Sequence, residues 1–301
     1  MKNIIITGGS GLVGMHLSEK LRKKGYNVFV FSRSKKNVSE STSYWDYKNN
    51  IINKDILQKA NYIVHLAGVN ISSKRWTTHR KKDIVESRVK TAEFLLNSID
   101  QANNSLESFI SASAVGYYGA VTSNNIFTEE DNSASDFLGV TCKEWEQTVD
   151  KFKALGIRTV KLRTGIVLAK EGGALPKMIP PIKLGIGSAI GSGKQYMPWI
   201  HIDDLCDIYI KAIEDENMQG VYNAIAPEYV NNFEFTRSLA KVLKKPFWFP
   251  QLPSVLMKLL FGEMANILLK GSRVSSEKIL KSGFEFKYRN LKDALQSLNL
   301  C

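Results

Sequence analysis

Thr7-Gly8-Gly9-Ser10-Gly11-Leu12-Val13-Gly14 carries the reading of this chain. The octet follows a short β-branched run, Asn3–Thr7, and leads into Leu12–Lys24, whose apolar residues recur at helical spacing. In a strand–turn–helix context each glycine has a physical role. Gly8 permits the tight turn, Gly11 lets the backbone approach a pyrophosphate, and Gly14 allows helix and strand to pack closely. Ser10, Leu12 and Val13 complete the cradle at the helix amino terminus, where free N–H groups and the helix dipole favour anions. A turn with incidental glycines is the bland alternative, and the elements that follow weigh against it.

Downstream, Asn27–Phe31, Tyr62–Leu66, Phe109–Ala112 and Thr159–Arg163 read as further strands. Arg80–Ala102 and Leu138–Ala154 carry helical spacing between them. Strands apolar throughout, alternating with helices, predict a parallel sheet covered on both faces. The fold class expected is α/β: a doubly wound Rossmann-type parallel sheet with a smaller, mainly helical C-terminal substrate lobe. Glu171–Lys194 is rich in Gly and Pro and predicts loops with at most a short helix. Trp199–Leu205 reads as a strand running into a helix that continues to about Glu214. The expected division is 1–166 plus about 196–215 for the cofactor domain, and about 167–195 plus 216–301 for the substrate lobe.

The second strand ends Phe29-Val30-Phe31-Ser32-Arg33-Ser34-Lys35-Lys36, with no acid between Glu19 and Glu40. An NAD site usually places a carboxylate here for the ribose 2′-hydroxyl. Arg33, beside Ser32, instead offers a fixed cationic fork suited to a 2′-phosphate. NADP(H) is the expected cofactor.

TGGSGLVG, His65-Leu66-Ala67-Gly68 and Trp199-Ile200-His201-Ile202-Asp203-Asp204 together resemble the extended short-chain dehydrogenase/reductases, the epimerase/dehydratase superfamily. Arg75-Trp76-Thr77, Glu86-Ser87-Arg88, the run Ser111–Gly119 and Leu268–Val274 are similar to its epimerase-like branch with an extra C-terminal segment of unassigned role. The resemblance spans essentially the whole chain. It implies that Leu66, Ala67 and Gly68 line the cofactor, that Glu86 and Arg88 lie near it, that Ser111 belongs to its border, and that Ile166 borders the nicotinamide end.

Related enzymes pair a Ser or Thr after the fifth strand with Tyr-x-x-x-Lys on the next helix, the Tyr moving a proton while the Lys lowers its pKa. Ser113 fits the first role. The helix reads Phe137-Leu138-Gly139-Val140-Thr141-Cys142-Lys143-Glu144-Trp145-Glu146, and counting back from Glu146 puts Leu138 and Cys142 at the Tyr and Lys positions. Counting from Lys143 gives Gly139 for the Tyr. Tyr117 and Tyr118, just past Ser113, are the candidate replacement acids, with aromatic packing as their bland alternative. Gly187–Gln195 only superficially resembles an ATP loop, because Gln195 replaces the Ser or Thr that binds magnesium. Two functions stay open: an NADP(H)-dependent oxidoreductase or epimerase-like enzyme acting on a small or nucleotide-linked hydroxy or keto compound, and a non-catalytic NADP(H)-sensing protein that regulates a partner.

Formal net charge is +12, and 11 Lys/Arg against 4 Asp/Glu fall from Lys241 onward. These charges stand singly among apolar residues, unlike a nucleic-acid arm, so no nucleic-acid partner is expected. Cys142, Cys206 and Cys301 are far apart, and His16, His65, His79 and His201 are scattered, so no metal is expected. No apolar run approaches the ~20 residues of a membrane span. The expected setting is the cytoplasm, as a monomer or homodimer without membrane partners.

Overall fold

The computed structural model describes residues 1–35, 38–102, 106–248 and 250–300; Lys36 and Cys301, both named above, lie outside them. The first half of the chain forms β1 (Asn3–Thr7), α1 (Leu12–Lys23), β2 (Asn27–Ser32), β3 (Thr42–Tyr44), α2 (Lys54–Gln58), β4 (Tyr62–His65), α3 (Thr78–Ala102), β5 (Ser108–Ala114), β6 (Ile126–Phe127) and α4 (Phe137–Asp150). Then come β7 (Arg158–Thr164), β8 (Ile166–Leu168), α5 (Leu175–Lys183), β9 (Trp199–His201), α6 (Ile202–Glu214) and β10 (Gly220–Ala224). The chain closes with α7 (Asn232–Val242), α8 (Ser254–Phe261), α9 (Asn266–Leu269), β11 (Arg273–Val274), α10 (Glu277–Lys281) and α11 (Leu291–Ser297).

Seven strands lie in the order β10-β7-β5-β4-β1-β2-β3, every pair parallel. Strand β1 shows why the runs are apolar without alternation. Ile4 and Ile6 face a core shared with Leu17 and Leu21 of α1 and Ile202, Leu205 and Tyr209 of α6. Ile5 points the other way, into a core with Phe31, Trp45, Leu95, Phe109 and Trp145. All three isoleucines are fully buried, each contributing about 1.5–3 kcal/mol. Strand order reverses between β1 and β4, so their carboxyl ends open the crevice in which doubly wound sheets bind ligands.

A third core unites α5, β9, α7 and α11 around Trp199, Phe235, Leu239 and Leu295. The expected helix within the Gly/Pro-rich stretch is α5. One departure concerns Gly220–Ala224. It falls in the stretch expected as lobe, yet it is β10, paired with β7 from Gly220↔Val160 to Ala224↔Thr164. Its polar Asn223 broke the apolar signal. That side chain is fully buried, accepting from the Tyr118 hydroxyl at 2.7 Å and donating to the Ser275 carbonyl at 3.0 Å.

The C-terminal segment is not a separate unit. Ile279, Phe284 and Phe286 join the core of the sheet, while Leu291, Ala294 and Leu295 join the third core. Among the described residues no helix is long and apolar enough to cross a membrane.

Candidate active site

The glycine turn is built as its residue types require. Gly8 has φ +69°, and a β-carbon there would lie 2.8 Å from the Leu66 carbonyl. A β-carbon on Gly14 would lie 2.5 Å from the α-carbon of Gly9. Gly11 caps α1 without a side-chain acceptor, and no acid stands in the first turn. The first helical N–H groups, which a helix leaves without intrahelical partners, thus receive no side-chain acceptor from the cap. They open on a cavity of about 480 Å³, lined here by Gly8, Gly11, Leu12, Val13 and Gly14 and across the switch point by Leu66, Ala67 and Gly68.

Behind this wall His65 is fully buried, its Nδ1 2.8 Å from Thr7 Oγ1 and its Nε2 3.3 Å from Thr91 Oγ1. Burial lowers its pKa to about 4, so the ring is neutral, and its contacts tie the end of β4 to the end of β1 through Thr7 and to α3 through Thr91.

Arg88 reaches the cavity from α3. Its guanidinium donates to the carbonyls of Ile84 at 2.9 Å and Val69 at 3.2 Å and lies over the Trp145 ring at 5.3 Å. A β-carbon on Gly68 would come within 3.1 Å of it. Burial lowers its pKa from the usual arginine range, but an arginine stays charged. Among the described residues no carboxylate pairs with it. A cation enclosed this way, beside a phosphate cradle, fits an anionic dinucleotide.

Ser113, at the end of β5, also lines the cavity. Its hydroxyl donates to Glu146 Oε1 at 2.7 Å, and Arg163 holds the same carboxylate through Nε at 2.8 Å and Nη2 at 2.9 Å. With its proton committed to a carboxylate, Ser113 presents lone pairs to the cavity. It is an acceptor there.

Helix α4 closes the opposite wall with Leu138, Thr141, Cys142 and Trp145. Leu138 and Cys142 thus stand where the resemblance places Tyr and Lys, whereas Lys143 is exposed to solvent. Burial, with Glu146 nearby, pushes the Cys142 thiol up to about 12, so it remains protonated.

Of the expected site residues, Gly8, Gly11, Leu12, Val13, Gly14, Leu66, Ala67, Gly68, Arg88, Ser113 and Ile166 line one cavity. The others stand apart from that lining. Ser10 is exposed, and Arg33 is exposed just beyond β2. Ser32 is buried and accepts the Ser34 N–H at 3.1 Å. Glu86 lies 3.9 Å from Lys82, and Ser111 is buried and donates to the Ala112 carbonyl at 2.8 Å. Tyr117 stacks under the Arg163 guanidinium at 3.4 Å. Tyr118 is buried, accepts from Arg163 at 2.9 Å and donates to Asn223. Both tyrosines thus serve the Arg163 network, and burial raises the Tyr118 pKa further.

Sequence reasoning gave no site role to Thr164, Gly165, Tyr196, Pro198, Ile267, Lys270, Gly271 and Ser272, which also line the cavity. The last four lie within or beside Leu268–Val274, a stretch recognised by resemblance without a role. Among the described residues no group of three or more His, Cys, Asp or Glu is placed to hold a metal ion.

Comparison with known proteins follows the same outline. Residues 4–224 match the model of the NAD dependent epimerase/dehydratase family. The chain belongs to that family. Residues 252–298 match a domain of unknown function, DUF1731. The chain is 36% identical over 304 residues to the epimerase family protein SDR39U1 homolog, chloroplastic, of Arabidopsis thaliana, covering 98% of this chain and 86% of that one. It is 34% identical to the epimerase family protein YfhF of Bacillus subtilis, covering 98% and 97%. Its structure is similar, with a TM-score of 0.88 and 29% identity over 98% of each chain, to the human epimerase family protein SDR39U1 (isoform 2), crystallised with NADPH.

Proposed function

We propose that this family member is an NADP(H)-dependent oxidoreductase or epimerase-like enzyme acting on a small hydroxy or keto compound. The observation that carries the reading is one cavity joining a helix amino terminus without a side-chain cap, an arginine with no carboxylate partner among the described residues, and Ser113. The human relative's NADPH supports the choice of dinucleotide, as does Arg33 without a nearby acid. When bound, NADPH supplies a hydride from its nicotinamide. The chain's own residues supply the rest. Leu12, Val13 and Arg88 would hold phosphate charge, Ile166 and Ala67 would bound the rings, and Ser113 would orient the product hydroxyl by accepting its hydrogen bond. The proton that completes that hydroxyl after hydride transfer would come from solvent. Leu138, Cys142 and Trp145 exclude water from that wall.

The composition of the α4 face favours the second reading, an NADP(H)-sensing protein without turnover, because Leu138 and Cys142 cannot exchange a proton at neutral pH. The two readings part on one experiment: NADPH oxidation by the purified protein with a panel of ketones, aldehydes and oxo acids. Turnover is expected with at least one class. Ser113→Ala should reduce it at least tenfold, about 1.4 kcal/mol in the barrier, the loss expected when a group that orients the reacting oxygen is removed. Lys143→Ala should change it less than threefold, under about 0.7 kcal/mol in the barrier. Tight NADPH binding with no turnover across the panel would establish the sensor instead.

A further inference from the structure

The cavity wall is one-sided in charge. Among its described lining residues are two cations, Arg88 and Lys270, and no aspartate, glutamate or histidine. They come from different parts of the fold. Arg88 stands on α3 beside Gly68, at the switch-point wall. Lys270 follows α9, in the segment that carries no assigned role.

That segment is fastened at several points. Glu263 pairs with Lys81 of α3 at 2.6 Å. The Ser272 hydroxyl donates to the Gly119 carbonyl at 2.9 Å, and β11 pairs with β6. The Gln195 amide donates to the Leu268 carbonyl at 2.8 Å. Gly271 is packed so closely on the Tyr196 backbone that any β-carbon would overlap the Tyr196 carbonyl. Lys270 and Tyr196 are therefore held as neighbours in the chain's packing, both bordering the cavity. Lys270 borders the cavity, is exposed to solvent and makes no ion pair among the described residues. The lining also includes the apolar Ile71 and Ile267.

An exposed lysine alone needs no ligand, but Lys270 borders a cavity whose described lining holds a second cation and no carboxylate, so the potential there is of one sign and favours an anion. We infer that the substrate carries a compact anionic group, carboxylate or phosphate, on a short apolar body, and that the C-terminal segment recognises it through Lys270. This rests on the proposed oxidoreductase reading and names its substrate class. The expected preference is for acids over their neutral counterparts, with Arg88 engaged by the dinucleotide and Lys270 by the substrate.

The test uses the full chain saturated with NADP⁺ for binding and with NADPH for turnover. The probes are matched pairs: 3-oxobutanoate with its methyl ester, and dihydroxyacetone phosphate with dihydroxyacetone. Binding is read by thermal shift and calorimetry, and turnover by NADPH absorbance. The charged member of at least one pair should bind at least tenfold more tightly than the neutral one, and which pair responds tells carboxylate from phosphate. Lys270→Met should shrink that ratio below threefold while NADPH affinity changes less than twofold, and Lys270→Arg should keep it. Equal binding of charged and neutral members, discrimination that survives in Lys270→Met, or no binding by any probe to the loaded protein would each overturn the inference. Failure of wild-type protein to bind NADPH at all would instead overturn the cofactor reading beneath it.

Discussion

Arg33 projects into solvent just past β2, and its proposed role is toward the dinucleotide alone. A guanidinium that meets only a 2′-phosphate should contribute selectivity without contributing to folding. NADPH should therefore bind at least tenfold more tightly than NADH, about 1.4 kcal/mol, and Arg33→Ala should erase most of that ratio at unchanged melting temperature. Fluorescence titration of both dinucleotides measures it, and an undiminished ratio would make Arg33 a surface residue. His65 is the opposite case, buried and working through the fold. Its folded pKa is lowered to about 4 from 6.5 by burial. At pH 7 it is neutral in both states, so it adds no pH dependence there. Below pH 6.5 the unfolded chain takes up the proton and the folded chain does not, so stability falls until about pH 4. The loss attributable to His65 is about 3 kcal/mol over that window. Urea midpoints from pH 7 to 4.5 should show it, and His65→Gln should flatten the slope even if it lowers the plateau. At this scale the sequence was partly legible. Arg88 could be singled out through the family resemblance, with its charge as the reason, but the commitment of the Ser113 proton to Glu146 could not, because it is a tertiary contact held with Arg163, 17 residues beyond Glu146.

Elements were more legible than side-chain roles. Strands β1, β2, β4, β5 and β7 are largely buried and so leave short runs readable as strands, whereas β10 at the sheet edge carries the polar Asn223 and left none. The register of α4 could be counted from Glu146, and the face it turns to the cavity, Leu138 and Cys142, agrees with that count. The loop before α1 offers a test that separates binding from folding. Gly11 has φ −81° and ψ 169°, an extended conformation that β-branched residues adopt readily. Its β-carbon would meet only the Gly8 carbonyl oxygen, at 3.2 Å. Gly11→Val should thus still fold, with a melting temperature lowered only modestly as the Gly8 carbonyl shifts by a few tenths of an ångström, while its side chain fills the space a pyrophosphate needs. NADPH affinity should fall at least tenfold. Undiminished affinity in the folded variant would mean that this loop does not hold the phosphates.

At the scale of the whole molecule, the C-terminal segment is what the sequence concealed. Its sparse lysines and arginines read as a solvated face, and no local pattern reveals that its two ends enter different cores. One buried group ties these together. Asp204, in the first turn of α6, is 1% exposed and accepts the backbone N–H groups of Lys287 at 2.8 Å and Tyr288 at 3.0 Å. Those two residues lie between Phe286 in one core and Leu291 in the other. The carboxylate therefore sets the path by which the segment crosses from sheet to lobe. Burial raises its pKa, a sign that solvent does not share in its support. Asp204→Asn keeps the size but can accept only one of the two N–H groups, and it turns an amide donor toward the other. Leaving a buried donor unsatisfied costs about 1–3 kcal/mol. Because the segment belongs to both cores, that loss should appear as a lower melting temperature of one cooperative transition, followed alike by tryptophan fluorescence and far-ultraviolet circular dichroism. A separate early transition confined to the segment would show that its core contacts are too weak to couple it to the sheet. An unchanged melting temperature would show that apolar packing alone holds the crossing.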